Sequence, residues 1–459
     1  MKHYKPVKTN PEGGKLKGIR GEAISFNSNP FTCNNDDCCT HYPDALIVIQ
    51  DGIILDIGNY NVMKQRYTDI SDIDQYTDAV ILPGFIDCHT HYVQSPMVGS
   101  YGDTLLNWLN SYTFPTEAKF SDRRFADEVA KMFFRHILSQ GTTTANIFAT
   151  TFGPSVDAIF EESERYNTRI ISGKVLQDRN LPDNLKDKSA EESILISEKL
   201  LNKWHKRGRQ LYAVTPRFAP TSTPLQLRLA GELYRCHMQN GVYMHTHLDE
   251  AHDEIEWVRD LFPEAENYTD VYEMHGLLGP TSVFAHCCLV KETEWRHLHN
   301  AGCGIAHCPS SNLFLGDGEF KFWEAVNQER PCNIGIGTDI GGGTNFSVFR
   351  QLGDAYNVSM LHSRPLGIMQ SLYMATRGGA EVLSLQDKIG SLAPGHEADI
   401  TVLDLAPSEF AGWRMQFARN IFEKLFILQT LSPDNIVLST YVSGIKVFDR
   451  QQECKFMYT

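Results

Sequence analysis

The sequence predicts an α/β protein: a (β/α)8 barrel of the TIM type, with a small β-sandwich built from both termini. Three observations lead there. Strand-like and helix-like segments alternate through the middle of the chain, with eight strand candidates in about 300 residues. Both ends read as β. Candidate metal ligands recur at the C-terminal ends of the central strands, where barrel active sites sit. The expected division is 1–80 for the first part of the sandwich, 81–388 for the barrel and 389–459 for the second part.

The bulk numbers suit a folded globular chain. Of 459 residues, 42% are hydrophobic and 21% charged, enough for a large core without staples. Lys and Arg number 42 against 56 Asp and Glu, a net charge of −14. That balance opposes binding to nucleic acid or acidic membranes. The 11 cysteines are odd in number and scattered through apolar runs, so a reducing, cytoplasmic setting is expected rather than a disulfide framework. The start, MKHYKPVKTNPEGGKLKG, lacks the apolar stretch of a signal peptide. No run of about 18 apolar residues predicts a membrane span.

In chain order, the apolar runs 45–50 and 53–57 flank Asp51-Gly52, a strong hairpin signal. The stretch 27–43 is rich in turn formers and reads as a loop. It holds Cys33, Cys38 and Cys39, but no second cysteine or histidine pair completes a metal site there. Ser121 is placed as the cap of a helix with an apolar stripe of Phe125, Val129, Met132 and Phe133, ended by Gly141. Thr223-Pro224 opens another, ended by Gly241. The barrel strand candidates are a segment ending near Asp87, then 142–148, 169–176, 211–218, 242–248, 282–288, 302–308 and 333–338. Beyond 389, the runs 398–403 and 436–447 are strand-like, the latter turning at Ser443-Gly444.

The chemistry starts at Pro83-Gly84-Phe85-Ile86-Asp87-Cys88-His89-Thr90-His91. Alternate strand residues face one side, so both imidazoles of His-x-His can share a centre. A lone His-x-His is weak evidence. However, His247, His286 and Asp339 also fall at strand ends, and four such coincidences in one barrel point to a metal centre. Three histidines and a carboxylate suit zinc with a position left open; iron is the alternative. Glu250, three residues past His247, is placed to accept a proton from an attacking water, with the adjacent Asp249 as a competitor that spacing does not exclude. Other hydrolytic patterns fail. There is no HExxH, no GxSxG and no phosphate loop, and His252-Asp253-Glu254 lacks the PCxxC that would make it a nucleotide-type zinc deaminase. Gly341-Gly342-Gly343 reads as room near the metal.

The strand motif, together with His247, His286, Gly337-Thr338-Asp339 and the closing Gly390-Ser391-Leu392-Ala393-Pro394-Gly395-His396-Glu397-Ala398-Asp399-Ile400, resembles the amidohydrolase superfamily over nearly the whole chain. Within it, the chain is most similar to the guanine deaminases. The marks are His89-Thr90-His91-Tyr92-Val93-Gln94, Trp108 through Glu117 (WLNSYTFPTE), Pro216-Arg217-Phe218, His247-Leu248-Asp249-Glu250 and His307-Cys308-Pro309-Ser310-Ser311-Asn312. Asp249 departs from a small hydroxyl residue common there.

The resemblance implies one zinc per chain held by His89, His91, His247 and Asp339, with His286 and Asp339 aligning the attacking water and Glu250 moving protons. It implies a purine bound by Gln94, Arg217, Phe218 and His247, hydrolytic deamination of guanine to xanthine and ammonia, and a homodimer. Two-metal relatives carry a modified lysine on the fourth barrel strand. Lys174 falls on the third by count, so one metal is favoured. The rival readings are a deaminase of 8-oxoguanine, cytosine, a triazine or an adenosine derivative on the same scaffold, and a catalytically dead assembly protein. The site-closing loop is left open between 151–154 and 315–320.

Overall fold

The computed structural model describes residues 14–33, 37–102, 104–431 and 435–451. The first 13 residues, the centre of the 27–43 loop and the last eight residues lie outside the described residues, and with them part of the readings made there.

The chain opens with β1 (Lys17–Phe26), β2 (Cys39–Gln50), β3 (Ile53–Asn59) and β4 (Asp72–Pro83). Nine strands follow: β5 (Phe85–His91), β6 (Thr142–Phe148), β7 (Arg169–Gly173), β8 (Val175–Leu176), β9 (Leu211–Pro216), β10 (Tyr243–Leu248), β11 (Ser282–His286), β12 (Gly304–His307) and β13 (Asn333–Ile336). The last are β14 (Ile400–Asp404), β15 (Val437–Val442) and β16 (Ile445–Asp449). The strands of the two ends form one path, β16-β15-β14-β4-β1-β2-β3. It curls so that the start of β3 meets the segment before β14: Ile54 N–H donates to His396 O at 2.8 Å. Ile19, Ile47, Ile54, Ile81, Ile400 and Tyr441 fill the enclosed core. Both predicted hairpins form as twisted two-residue turns, with φ of 52° and 82° at Asp51-Gly52 and 46° and 72° at Ser443-Gly444.

The expected loop 27–43 is shorter than read, because β2 already starts at Cys39. Phe26 pairs with Cys39, and the register slips between Gly21 and Ala23. The slip lets Pro43, which has no N–H for a ladder bond, sit in a bulge inside a strand. No disulfide joins any two of the described cysteines.

The central strands are all parallel, in the order β5-β6-β7-β9-β10-β11-β12-β13, with β8 beside β9. Helices between them cover the outside. The barrel closes where β13 meets β5. Asp339 N–H donates to His89 O at 2.9 Å. The Asp87 carboxylate accepts from Thr338 N–H at 3.0 Å and Thr338 Oγ1 at 2.5 Å. Burial pushes the Asp87 carboxyl up to about 7, against those hydrogen bonds. Gly337 permits the approach, since a Cβ there would lie 2.9 Å from His89 O.

Several boundaries move for local reasons. The third strand breaks at Lys174, whose N–H goes to the Tyr212 hydroxyl at 3.1 Å. The strand read as 302–308 starts at Gly304, because Gly302 (φ 71°) caps the helix Glu292–Ala301. The helix Arg123–Ser139 is capped by Asp122, not Ser121, whose hydroxyl instead donates to Ala118 O at 3.1 Å. Its buried stripe runs through Ala126, Val129, Ala130, Phe133, Phe134 and Ile137; Met132 lies off it, 50% exposed. Thr223 caps Pro224–His237 as expected.

A buried charge cluster ties the N-terminal end of the barrel to the terminal sheet. Arg209 donates to Asn167 O at 2.7 Å and Ser443 Oγ at 3.1 Å, and pairs with Asp399 and Glu397; Arg169 also pairs with Glu397. Burial pushes the Glu397 carboxyl up, but the two arginines outweigh it and hold it below its ordinary value. Arg209→Met should therefore cost about 3–5 kcal/mol in urea unfolding, since it strands buried carboxylates. The sign with pH follows from the depressed pKa. This stabilisation is whole above the ordinary glutamate value and is lost as pH falls through the depressed one. Acidification should thus narrow the gap between wild type and variant, and a gap that widens would contradict this account.

Candidate active site

Strand ends carry the polar side chains into one place. His89 and His91 alternate along β5, so both face inward, as do His245 and His247 on β10. His286 ends β11, and Asp339 follows β13. Asp249, His286, Cys287 and Asp339 all take left-handed backbone angles, φ 49°, 71°, 53° and 46°. Such non-glycine strain cost about 1–3 kcal/mol each and gathers at functional sites. Here it turns the chain at strand ends so that side chains aim across the barrel mouth.

His91 Nε2 lies 3.2 Å from both His89 Nε2 and His247 Nε2. Asp339 Oδ1 lies 3.0 Å from His89 Nε2 and 3.3 Å from His91 Nε2. The tautomers follow from the outer partners. His247 Nδ1 meets Arg217 O at 2.7 Å, and a carbonyl only accepts, so Nδ1 carries the proton and Nε2 the lone pair. His89 Nδ1 faces His245 Nε2 at 2.8 Å, a pair in which either ring nitrogen can donate. Burial drives the His91 pKa down to about 3 and those of His245 and His247 well below the ordinary value. Burial alone would raise Asp339, but His89, His91 and His286 outweigh it and hold it well below.

Imidazole nitrogens and an ionised carboxylate therefore converge in one buried place, an arrangement complementary to a cation. Their ligand atoms lie within 4.8 Å of one another. A second grouping, His89, His286, Cys308 and Asp339, meets the same distance test. Burial pushes the Cys308 thiol well up, so the first set is the one ready without losing a proton. The residues fit a divalent metal ion. Lys174 takes no part in it. Its ammonium, 1% exposed, is held by Asp187 at 2.5 Å, Thr151 Oγ1 at 3.2 Å and Val175 O at 3.0 Å.

The cluster opens into a pocket of about 380 Å³, a volume that includes space open to solvent. His91, His247, Glu250 and Asp339 form its polar floor; Leu105, Trp108, Leu109, Phe218 and Leu315 form its apolar sides; Gln94, Arg217 and Gly342 complete it. Leu105, Trp108 and Leu109 come from a helical run ending at Glu117, widened to a π-turn over Leu109–Thr113. Pro115 lies just beyond, and its missing N–H leaves an ordinary α-helical bond unmade there. Both oxygens of Glu117 accept from Arg217 Nη1, at 3.0 and 2.8 Å, and Gln94 Nε2 donates to Glu117 at 3.1 Å. Gly341 gives Gln94 its room, since a Cβ there would sit 2.0 Å from Gln94 Oε1. Of the two loops proposed to close the site, 315–320 contributes Leu315 to the lining and 151–154 contributes no lining residue.

Glu250 faces the cavity with Oε1 3.4 Å from His286 Nε2. His286 Nδ1 meets Asn312 Oδ1 at 2.8 Å, which aims Nε2 inward. Burial, Glu254 and Asp339 push the Glu250 carboxyl well up. Glu254 accepts from Glu250 N–H at 3.0 Å and from Tyr268 at 2.8 Å, fixing the turn that presents Glu250. The competitor Asp249 is turned aside. It is buried, and its charged neighbours are Glu294 and Glu254, with Lys291 opposing.

His91, Gln94, Arg217, Phe218, His247, Glu250 and Asp339 thus line one cavity, and His89 and His286 meet the lining carboxylates Asp339 and Glu250. Others escaped the reading of the sequence. His245-x-His247 repeats the His-x-His signal of β5 and was available. Glu254, counted only in a failed HxE pattern, supports Glu250. Asp317 carried no signal, because its closeness to Glu250 depends on the loop after the helix Pro309–Leu315; burial and Glu250 push its carboxyl up to about 10.

The barrel and its site define the class, a metal-dependent hydrolase. The chain belongs to the amidohydrolase family, whose model matches residues 80–447. It is 42% identical to guanine deaminase of Escherichia coli K12 over 95% of this chain and 98% of that protein. The crystal structure of guanine deaminase from Bradyrhizobium japonicum superposes with a TM-score of 0.92 at 32% identity, over 95% of this chain and 100% of that one. Guanine deaminase from C. acetobutylicum, with bound guanine in the active site, gives 0.84 at 27% identity over 95% and 100%. Among the described residues, no helix is long and apolar enough to cross a membrane.

If the cluster holds a metal, chelation should lower the melting temperature and metal should restore it. At free ion a hundredfold above Kd the gain is about 2.7 kcal/mol. His247→Ala should abolish the metal-dependent shift, and an unchanged shift in that variant would place the ion elsewhere.

Proposed function

We propose that this chain hydrolyses guanine to xanthine and ammonia. One observation carries the reading: a single small cavity joins the metal centre, the proton-carrying Glu250 and the Gln94–Arg217 wall. His89, His91, His247 and Asp339 would hold one zinc ion, the better match to three imidazoles and a carboxylate; iron is the other ion such a set takes. When bound, the ion would supply a water acidic enough to attack near neutral pH.

The chain's own residues supply the rest. Gln94 and Arg217 hydrogen-bond the edge of the purine and set C2 over the polar floor, beside His247. Phe218, Trp108 and Leu315 exclude bulk water. Glu250 takes a proton from the attacking water and passes it to a ring nitrogen, which makes C2 more electrophilic. His286 and Asp339 align the water. A C2–O bond forms; Glu250 then takes the second proton from the new C2–OH and delivers it to the amino group, and the C2–N bond breaks to release ammonia and leave C2=O. Opposite environments suit the two carboxylates to these roles: Asp339 stays ionised, while Glu250 gains and loses a proton.

In this reading 81–388 is the catalytic unit, with 1–80 and 389–459 as its support, and the protein works as a cytoplasmic homodimer. The exposed aromatic ridge of Phe410, Trp413 and Phe417 supports a partner copy.

Purified protein mixed with guanine should show the ultraviolet change to xanthine with about one zinc per chain, with 8-oxoguanine, cytosine and adenosine slower. A faster alternative substrate would move the assignment to that heterocycle. Glu250→Gln should lose about 10²–10⁴ in kcat with metal content intact. Near-normal turnover would remove Glu250 from its role.

A further inference from the structure

Glu117 lies behind the cavity wall formed by Gln94 and Arg217, with 0% exposure, and none of the proton transfers above uses it. Its carboxylate accepts from Arg217 Nη1 on both oxygens and from Gln94 Nε2. We infer that Glu117 is a specificity-determining positioning residue, which makes this wall select a neutral heterocyclic amide over an anion. The inference rests on the guanine reading above.

Two effects combine. The first is polarity. An ionised carboxylate only accepts hydrogen bonds, so it must meet the amide nitrogen of Gln94 and not its oxygen. Gln94 is thereby left presenting Oε1, an acceptor, on the side where Gly341 clears space for it. Both Glu117 contacts fall on Nη1 of Arg217, which leaves Nη2 and Nε as donors for a ligand. Acceptor and donors side by side match a neutral lactam edge, which offers N–H next to C=O.

The second effect is charge. A buried, unpaired guanidinium would favour carboxylates, phosphates and other anions. Paired to Glu117 at 2.8 Å, with Arg217 only 3% exposed, its charge is cancelled where the ligand sits. Desolvating such a pair is unfavourable unless its hydrogen bonds are satisfied. The third bond, from Gln94, helps to satisfy the carboxylate and joins the two substrate-facing side chains into one unit.

The test compares hypoxanthine, which is neutral, with urate, an anion at the same pH, by calorimetric binding to zinc-loaded protein. Wild type should prefer hypoxanthine. In Glu117→Gln the preference should fall about tenfold or more, and the guanine KM should rise more than kcat falls. Glu117→Asp, which keeps the charge, should retain the preference. A folded Glu117→Gln protein with unchanged preference and KM overturns the inference. So does wild type binding urate as tightly as hypoxanthine, a result that needs no variant and decides the matter if the variant does not fold. Wild type failing to turn over guanine would strike the substrate reading instead, which the binding comparison does not depend on.

Discussion

Burial of ionisable groups at the barrel mouth is the constraint on which the rest of the site depends. A dry cavity penalises every charge inside it, so each group there is either neutral, paired or strongly shifted. Burial pushes His89, His91, His245 and His247 towards their neutral forms. Asp339 remains charged only because His89, His91 and His286 surround it. Glu250, buried beside Glu254 and Asp339, is pushed the other way. The same low-dielectric environment thus pushes two carboxylates in opposite directions, as the proposed roles of fixed anion and proton carrier require.

That separation requires side chains from opposite sides of the barrel to hold their positions within fractions of an ångström. The seam between β5 and β13 does much of this. Asp87, buried in the seam, grips Thr338, and the backbone of Asp339 grips that of His89, so two ligand-bearing strands cannot drift apart. On the other side, Arg217 links floor to wall. Its carbonyl orients His247 and its guanidinium meets Glu117. Anchoring to the terminal sheet through Arg209 occurs at the opposite end of the strands, where it stabilises without crowding the chemistry.

Much of this was legible in the sequence, for physical reasons. The eight strands announce themselves through apolar runs, and the hairpins through Asp51-Gly52 and Ser443-Gly444, residues suited to positive φ. The candidate ligands were readable because they fall at the ends of those runs. What stayed hidden depends on contacts distant in the chain. Asp317 reaches Glu250 only through the turn at Gly316, and Glu117 reaches Arg217 across 100 positions. Strand ends were read too long at β11 and β13, because propensity does not register that His286 and Asp339 leave the strand with left-handed angles. Met132 was misplaced because a helix stripe is narrower than a count of apolar spacings suggests.

The central claim is that one cavity places a metal-activated attack beside an edge-held purine. Anomalous diffraction at the zinc edge from a crystal soaked with guanine tests it most directly. The account predicts a single strong peak bonded to His89, His91, His247 and Asp339, at roughly 2.0–2.2 Å from their ligand atoms, with the purine edge on Gln94 and Arg217 and C2 facing the metal. A peak at other residues, or a purine bound with C2 turned away from the metal, would contradict it.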